Sequence, residues 1–387
     1  MAARESSSWC GMRGREDGDG VSLPQPVEGK VKATTHRMLH TPALLALSLY
    51  LAACIPSQTR LQAQDAARIT PGKPVLTTEA YFTDISSVVR LASGDLVVAD
   101  PGGEELVLVA RESGRMRVVG RGGEGPGEYR APQMIFAYQG DSVLLYDPRL
   151  LRISVFDGRA QYRRAVSAGT LGGGAIPIAA GDRGQVFFRG LNGLDGEGAV
   201  IRLSMQTGRI DTVARLAGPK LVDITDSNAR AIGKQVWRVM PYSDVDAFVA
   251  LAGGGHMIAR SRANRLEWYD TRGRMTSTTA FPGKRSPMTD SIRKTVTPVQ
   301  MQAMLPATLP AFEYYAVVRS ASNRVWIRAA ERVGDESIWY GFSPGEGKPR
   351  VLTLPRGARL VGAFEPWLIV ARRNASELQQ IEIYRAP

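Results

Sequence analysis

The chain is poor in the residues that build most catalytic and metal centres. Its 387 residues include two cysteines and three histidines. So few cysteines exclude a disulfide-stapled scaffold and a cysteine-ligated zinc module. His36 and His40 both precede Cys54, which leaves His256 alone in the rest, at the start of an apolar strand where a turn or edge histidine is expected. One histidine cannot make a His-ligated zinc site, and no G-x-S-x-G elbow accompanies it for a Ser-His-Asp hydrolase. Lysine is also scarce. The formal charge of +12 is carried almost entirely by arginine, and the arginines are scattered rather than clustered. Such a surface attracts anions, but no interleaving of basic and base-stacking residues points to nucleic acid.

No apolar run reaches the roughly 20 residues that span a bilayer. The longest, Pro42 to Ala53, has the length of a signal-peptide core, about 7–15 residues. It ends in Leu51-Ala52-Ala53-Cys54, which resembles a bacterial lipobox: small residues admit the peptidase and the thiol accepts a diacylglycerol. The alternative is ordinary cleavage after Ala63. Lipidation at Cys54 would tether the protein to a membrane, in the cell envelope. Ile55 in place of Asp after the cysteine favours the outer membrane and its periplasmic face. Residues 1–37 are polar and Gly-rich, unlike an n-region; a start near Val31 or Met38 gives an ordinary signal peptide. Residues 1–53 are therefore set aside as upstream segment and signal, 54–73 as a tether, and 74–387 as the folded domain.

What the domain has is glycine (41 in the chain), turn chemistry and repetition. A short apolar strand recurs as Gly94–Asp100, Gly140–Asp147, Gly184–Arg189, Gly255–Arg260, Asn323–Arg328 and Glu365–Val370. Each is followed by a partner strand that alternates more strongly, from Leu106–Ala110 to Gln380–Tyr384. Marked at Leu96, Val143, Val186, Met257, Val325 and Leu368, successive units are 47, 43, 71, 68 and 43 residues apart. The short intervals match one four-stranded propeller blade of about 40–50 residues. The long ones are a blade plus an insertion, over 220–242 and 284–310. Within the second insertion, Thr289 or Asp290 can cap a short helix and Pro298 breaks it.

Residues Gly120-Arg-Gly-Gly-Glu-Gly-Pro-Gly-Glu-Tyr-Arg-Ala-Pro132 resemble the NHL-type signature of bacterial six-bladed β-propellers (NHL/TolB-like), of a lipoprotein type. The glycines would permit left-handed turns between blades, Tyr129 would plug the junction, and Pro132 would open the next inner strand. No helix and no Lys-Ser/Thr follow, which argues against a phosphate loop. The resemblance implies an all-β, six-bladed propeller with four-stranded blades. The chain ends after three strands of the last blade, so Pro74–Phe82 is expected to supply the fourth and close the ring, sparing an open edge.

Function is less legible. Both insertions follow an outer strand, so they leave the same face of the disc as the turns after Asp100 and Asp147. Trp237, Arg238, Tyr242, Arg285 and Arg293 on them are the candidate ligand-binding residues, suited by stacking and bidentate hydrogen bonds to an anion or sugar. The expected role is a non-catalytic binding scaffold for a protein or glycan partner. Propeller lyases that depend on histidines are excluded by their scarcity. The alternative is a calcium-dependent, lactonase-like hydrolase with acidic and amide ligands in the central channel. Against it, Asp100, Asp147, Asp157 and Asp270 stand at strand ends, where carboxylates cap turns. The sequence identifies no catalytic residue, metal ligand or cofactor, and leaves enzymatic activity undecided, leaning against.

Overall fold

The computed structural model describes residues 68–169, 175–190, 196–225, 230 and 233–386. Cys54, His36 and His40 lie outside them. The described chain forms six blades, each built on four antiparallel strands, in a closed ring, with two small two-stranded sheets beside them. Blade I is Ser87–Arg90, Leu96–Asp100, Glu105–Val109 and Met116–Val118. Blade II is Met134–Tyr138, Ser142–Asp147, Arg152–Phe156 and Tyr162–Ser167. Blade III is Ile176–Ala180, Gln185–Arg189, Glu197–Ser204 and Ile210–Ala217. Blade IV is Ala247–Ala250, His256–Arg260, Arg265–Tyr269 and Met275–Ala280. Blade V is Phe312–Arg319, Val325–Val333, Glu336–Phe342 and Arg350–Leu354. Blade VI takes Ala358–Phe364, Trp367–Arg373 and Gln379–Arg385 from the C-terminus.

Its fourth strand is Leu76–Thr77, antiparallel to the third, with Leu76 opposite Ile383 and Thr77 opposite Glu382. The N-terminal strand thus closes the last blade, as the missing fourth strand requires. Blade V gains a fifth strand within the stretch read as tether: Arg68–Ile69 runs parallel to Arg350–Leu354, Ile69 opposite Leu352.

The near-continuous apolar run in each second strand follows from how the blades stack. Its alternate residues face opposite neighbours. Leu96 and Val98 pack against blade VI residues such as Ile369 and Ile381, while Val97 and Ala99 pack against Val143 and Leu145 of blade II. The same division recurs around the ring, giving one hydrophobic cluster per blade junction. Tyr129 fills the first junction. It is buried, donates to the Val119 carbonyl at 2.7 Å and accepts from the Leu106 N–H at 3.1 Å. The loop before it needs glycine: at Gly123, φ is +151°, and a Cβ would meet Glu128 Oε2 at 2.1 Å.

The strand-end aspartates of blades I and II are turn caps. Asp100 accepts from the N–H groups of Thr83, Asp84 and Gly103 at 2.7–3.0 Å. Asp147 accepts from Arg130, Ala131, Arg149 and Leu150 at 2.6–3.2 Å. Each carboxylate fastens the approach to an inner strand to the turn between the second and third strands. His256 differs from the turn or edge residue its position implies. It is buried, because Phe248 and Tyr269 from the flanking strands sandwich its ring at 5.2 and 4.6 Å.

Candidate functional site

Antiparallel strands alternate direction. The connection from each outer strand to the next inner one therefore leaves the same face as the turn between second and third strands. Both insertions are such connections and stand on either side of blade IV. The first forms a hairpin, Leu221–Asp223 with Trp237–Val239. The second contains a helix, Asp290–Thr295, whose Thr289 hydroxyl accepts from the Ile292 N–H, and a 3-10 turn, Val299–Met304, after Pro298. They meet. Val222 and Met240 from the first bury themselves with Val296, Met301 and Leu305 from the second, in a cluster separate from the blade junctions. The two insertions are one cap.

The five residues expected to bind ligand are all in this cap but do different things. Arg285 is a fastener: its guanidinium meets Asp244 at 2.6 Å and the Thr308 hydroxyl at 2.9 Å. Arg293 reaches the Gln302 carbonyl within the cap. Trp237 is half-buried on the hairpin, opposite Asp223, and Arg238 beside it is exposed. Tyr242 is exposed, with φ of +58°. None of the five lines the central channel.

The channel is a cavity of about 750 Å³, walled by the six inner strands. Its middle is aliphatic, with Val89, Ala179, Val249 and Leu360 among the lining residues. Arginines stand at both ends. Arg189 and Arg359 lie toward the cap-bearing face, Arg90 and Arg319 toward the other. Burial holds Arg189, Arg319 and Arg359 below the ordinary arginine value, only partly offset by the negative charges of Asp246, Asp182 and Asp84 respectively, yet a guanidinium stays protonated.

Arg189 shows this most clearly. Three successive blades end the core of the second strand on arginine: Arg189, Arg260 and Arg328. Arg260 is neutralised by Asp246 at 2.9 Å and Glu267 at 2.7 Å, and Arg328 by Glu313 at 3.2 Å. Arg189 bonds only main-chain carbonyls, those of Ala217 at 2.7 Å and Asp246 at 2.9 Å, and its Nε, like that of Arg328, is buried without a hydrogen-bond partner among the described residues. Arg359 likewise bonds a main-chain carbonyl, that of Ile85.

Between these arginines, blade V departs from its neighbours. Its inner strand pairs Phe312 with Ala329 and next Val317 with Ile327. The inner strand spends three more residues than its partner over that step. The bulge throws Tyr314 and Tyr315 into the channel, edge to face at 5.4 Å, and Tyr315 is 70% exposed. Bulges re-aim side chains in this way. Tyr314 and Tyr315 line the same channel as Arg189 and Arg359.

Sequence reading missed this group. Phe312–Arg319 reads as an unbroken strand, and channel arginines look like any other strand-end arginine. The three aligned arginines were a usable signal. Among the described residues, no group of three or more His, Cys, Asp or Glu converges to hold a metal ion.

No family model matches the chain, and no curated protein does. Solved structures with similar shape include U3-55K, at 10% identity and a TM-score of 0.49 over 81% of this chain and 100% of that one. A candidate exported protein from Bacteroides fragilis has 10% identity and a TM-score of 0.47, covering 82% and 95%. A catalytically inactive virginiamycin B lyase from Staphylococcus aureus, with quinupristin, has 9% identity and a TM-score of 0.44, covering 80% and 98%. Likenesses of this size carry no inference about what this chain binds or does.

Proposed function

We infer that this is an extracytoplasmic propeller of the NHL/TolB-like lipoprotein type, tethered through Cys54, that acts as a non-catalytic binding scaffold. The observation that carries the reading is the shared core of the two insertions. Two long loops that only connected blades would have no reason to bury apolar side chains in each other. Together they make a shaped platform on one face, where long loops most often carry binding function. Trp237, Arg238 and Tyr242 are the contact residues of this platform, with Arg285 and Arg293 holding its base. A protein or glycan partner at the cell surface fits this placement.

The test has two arms. In cell fractionation, Cys54→Ala moves the protein from the membrane to the soluble fraction; a variant that still pellets after alkaline wash sinks the tether. A photo-crosslinker at exposed Tyr242 captures a partner in whole cells, whereas one at exposed Met275 on the outer strand of blade IV does not. Equal capture at both positions, or none, removes the cap as the docking surface.

A further inference from the structure

We propose that the cap-side end of the channel binds a small organic anion: a carboxylate or phosphate carried on a ring, of sugar-acid or sugar-phosphate size. This deepens the scaffold reading and rests on it only for the absence of chemistry. Four observations converge. The cavity, about 750 Å³, falls in the range of small-molecule pockets, about 300–1,000 Å³. Arg189 on blade III and Arg359 on blade VI stand on opposite sides of a six-membered ring, and both line it. Neither is ion-paired with a carboxylate among the described residues, while Arg260 and Arg328, the repeat equivalents of Arg189, are. Lastly, the bulge in blade V carries Glu313, Tyr314 and Tyr315. It puts two amphipathic rings into the channel that the two guanidiniums line.

The chemistry selects the ligand. A guanidinium fork takes a carboxylate or phosphate through two parallel hydrogen bonds. A tyrosine face takes the ring that carries the anion, and its hydroxyl takes a neighbouring polar group. An inorganic anion alone would leave the tyrosines without a role. A neutral ring would leave the arginines uncompensated.

Calorimetric titration of the full chain tests the site with three probes: glucuronate, glucose 6-phosphate and glucose. At least one of the two acids binds at least about tenfold more tightly than glucose, a gap of about 1.4 kcal/mol, and added salt narrows it. Which acid binds better separates a carboxylate site from a phosphate site. Arg359→Gln and Arg189→Gln abolish the preference for the acids. Should either arginine variant fail to fold, Tyr315→Ser removes a largely exposed ring and its bond to Glu313, keeps the cooperative thermal transition, and weakens the acids several-fold. Glucose binding as tightly as the acids, neither acid binding, or acid binding that survives Tyr315→Ser undiminished overturns the proposal. NMR of the recovered ligand separates the two claims: an altered ligand ends the non-catalytic reading and leaves the anion site standing.

Discussion

The imidazole of His256 lies 4.6 Å from the Tyr269 ring with 8° between their planes, and Phe248 covers its other side at 5.2 Å. The residue is only 6% exposed. Burial, reinforced by the positive charges of Arg202 and Arg260, pushes its pKa down from 6.5 to about 4. The folded protein therefore keeps this ring neutral where the unfolded chain protonates it. Stability from this group is full above pH 6.5 and falls as pH drops toward 4. The full loss, below both values, is about 3 kcal/mol, since one pKa unit is worth about 1.4 kcal/mol. Urea unfolding at pH 7.5 and pH 4.5 measures it. His256→Phe keeps the aromatic stack without a titrating group, and its stability falls less between the two pH values. A variant with the wild-type slope assigns the pH dependence elsewhere.

Ring closure rests on a short strand. Leu76–Thr77 is two residues long, but its flanks extend the pairing: the Val75 N–H donates to the Ile383 carbonyl at 2.8 Å and the Thr78 N–H to the Ile381 carbonyl at 3.0 Å. Phe82 and Gln379 exchange a pair of bonds at 2.7 and 2.8 Å. Phe82 is 1% exposed, in the junction between blades VI and I. Removing residues 74–82 strips an edge strand and leaves unpaired backbone groups open to other chains. The deletion is expected to aggregate or to lose its cooperative thermal transition. Phe82→Ala isolates the packing part, at about 3–5 kcal/mol. A deletion that melts like the full chain would show that blade VI stands with three strands.

The ring was legible because its signals are local. Each blade announces itself by a turn (glycine or asparagine in five blades, Glu365-Pro366 in the sixth), a doubly covered apolar strand and an alternating partner, and the closing strand by the gap it fills. Arg68–Ile69 was not legible: a parallel pair has no connecting turn, and nothing in two residues marks a partner almost three hundred positions away. The bulge at Glu313–Tyr315 escaped for a different reason. Pairing slips of this kind are set by the neighbouring strand, and the eight residues of Phe312–Arg319 are good strand formers throughout. Insertion arginines drew attention because loops carry function, yet Arg285 and Arg293 are tied to partners within their own neighbourhood. The channel arginines lie at strand ends, where pattern assigns no special role. Both errors come from judging charges by segment rather than by the acids that face them.

The cap's shared core makes its two halves interdependent. Replacing residues 220–242 by a short Gly-Ser turn removes Val222 and Met240 and exposes Val296, Met301 and Leu305 on the half that remains. Replacing 284–310 alone does the converse, and also strands Asp244 without Arg285. Either single replacement therefore leaves apolar surface in water, at roughly 25 cal/mol per Å². Replacing both removes the cluster altogether, and long surface loops contribute little to the ring that carries them. The double variant is thus expected to be more soluble than either single one, and to lose less stability than the two losses combined. Melting temperatures of the four proteins form the cycle that measures this coupling. All four should keep the propeller's strand signature in circular dichroism, since the blade clusters are separate from the cap. Strictly additive losses would mean that the two insertions are independent loops that merely lie side by side, and the single-platform reading would go with them.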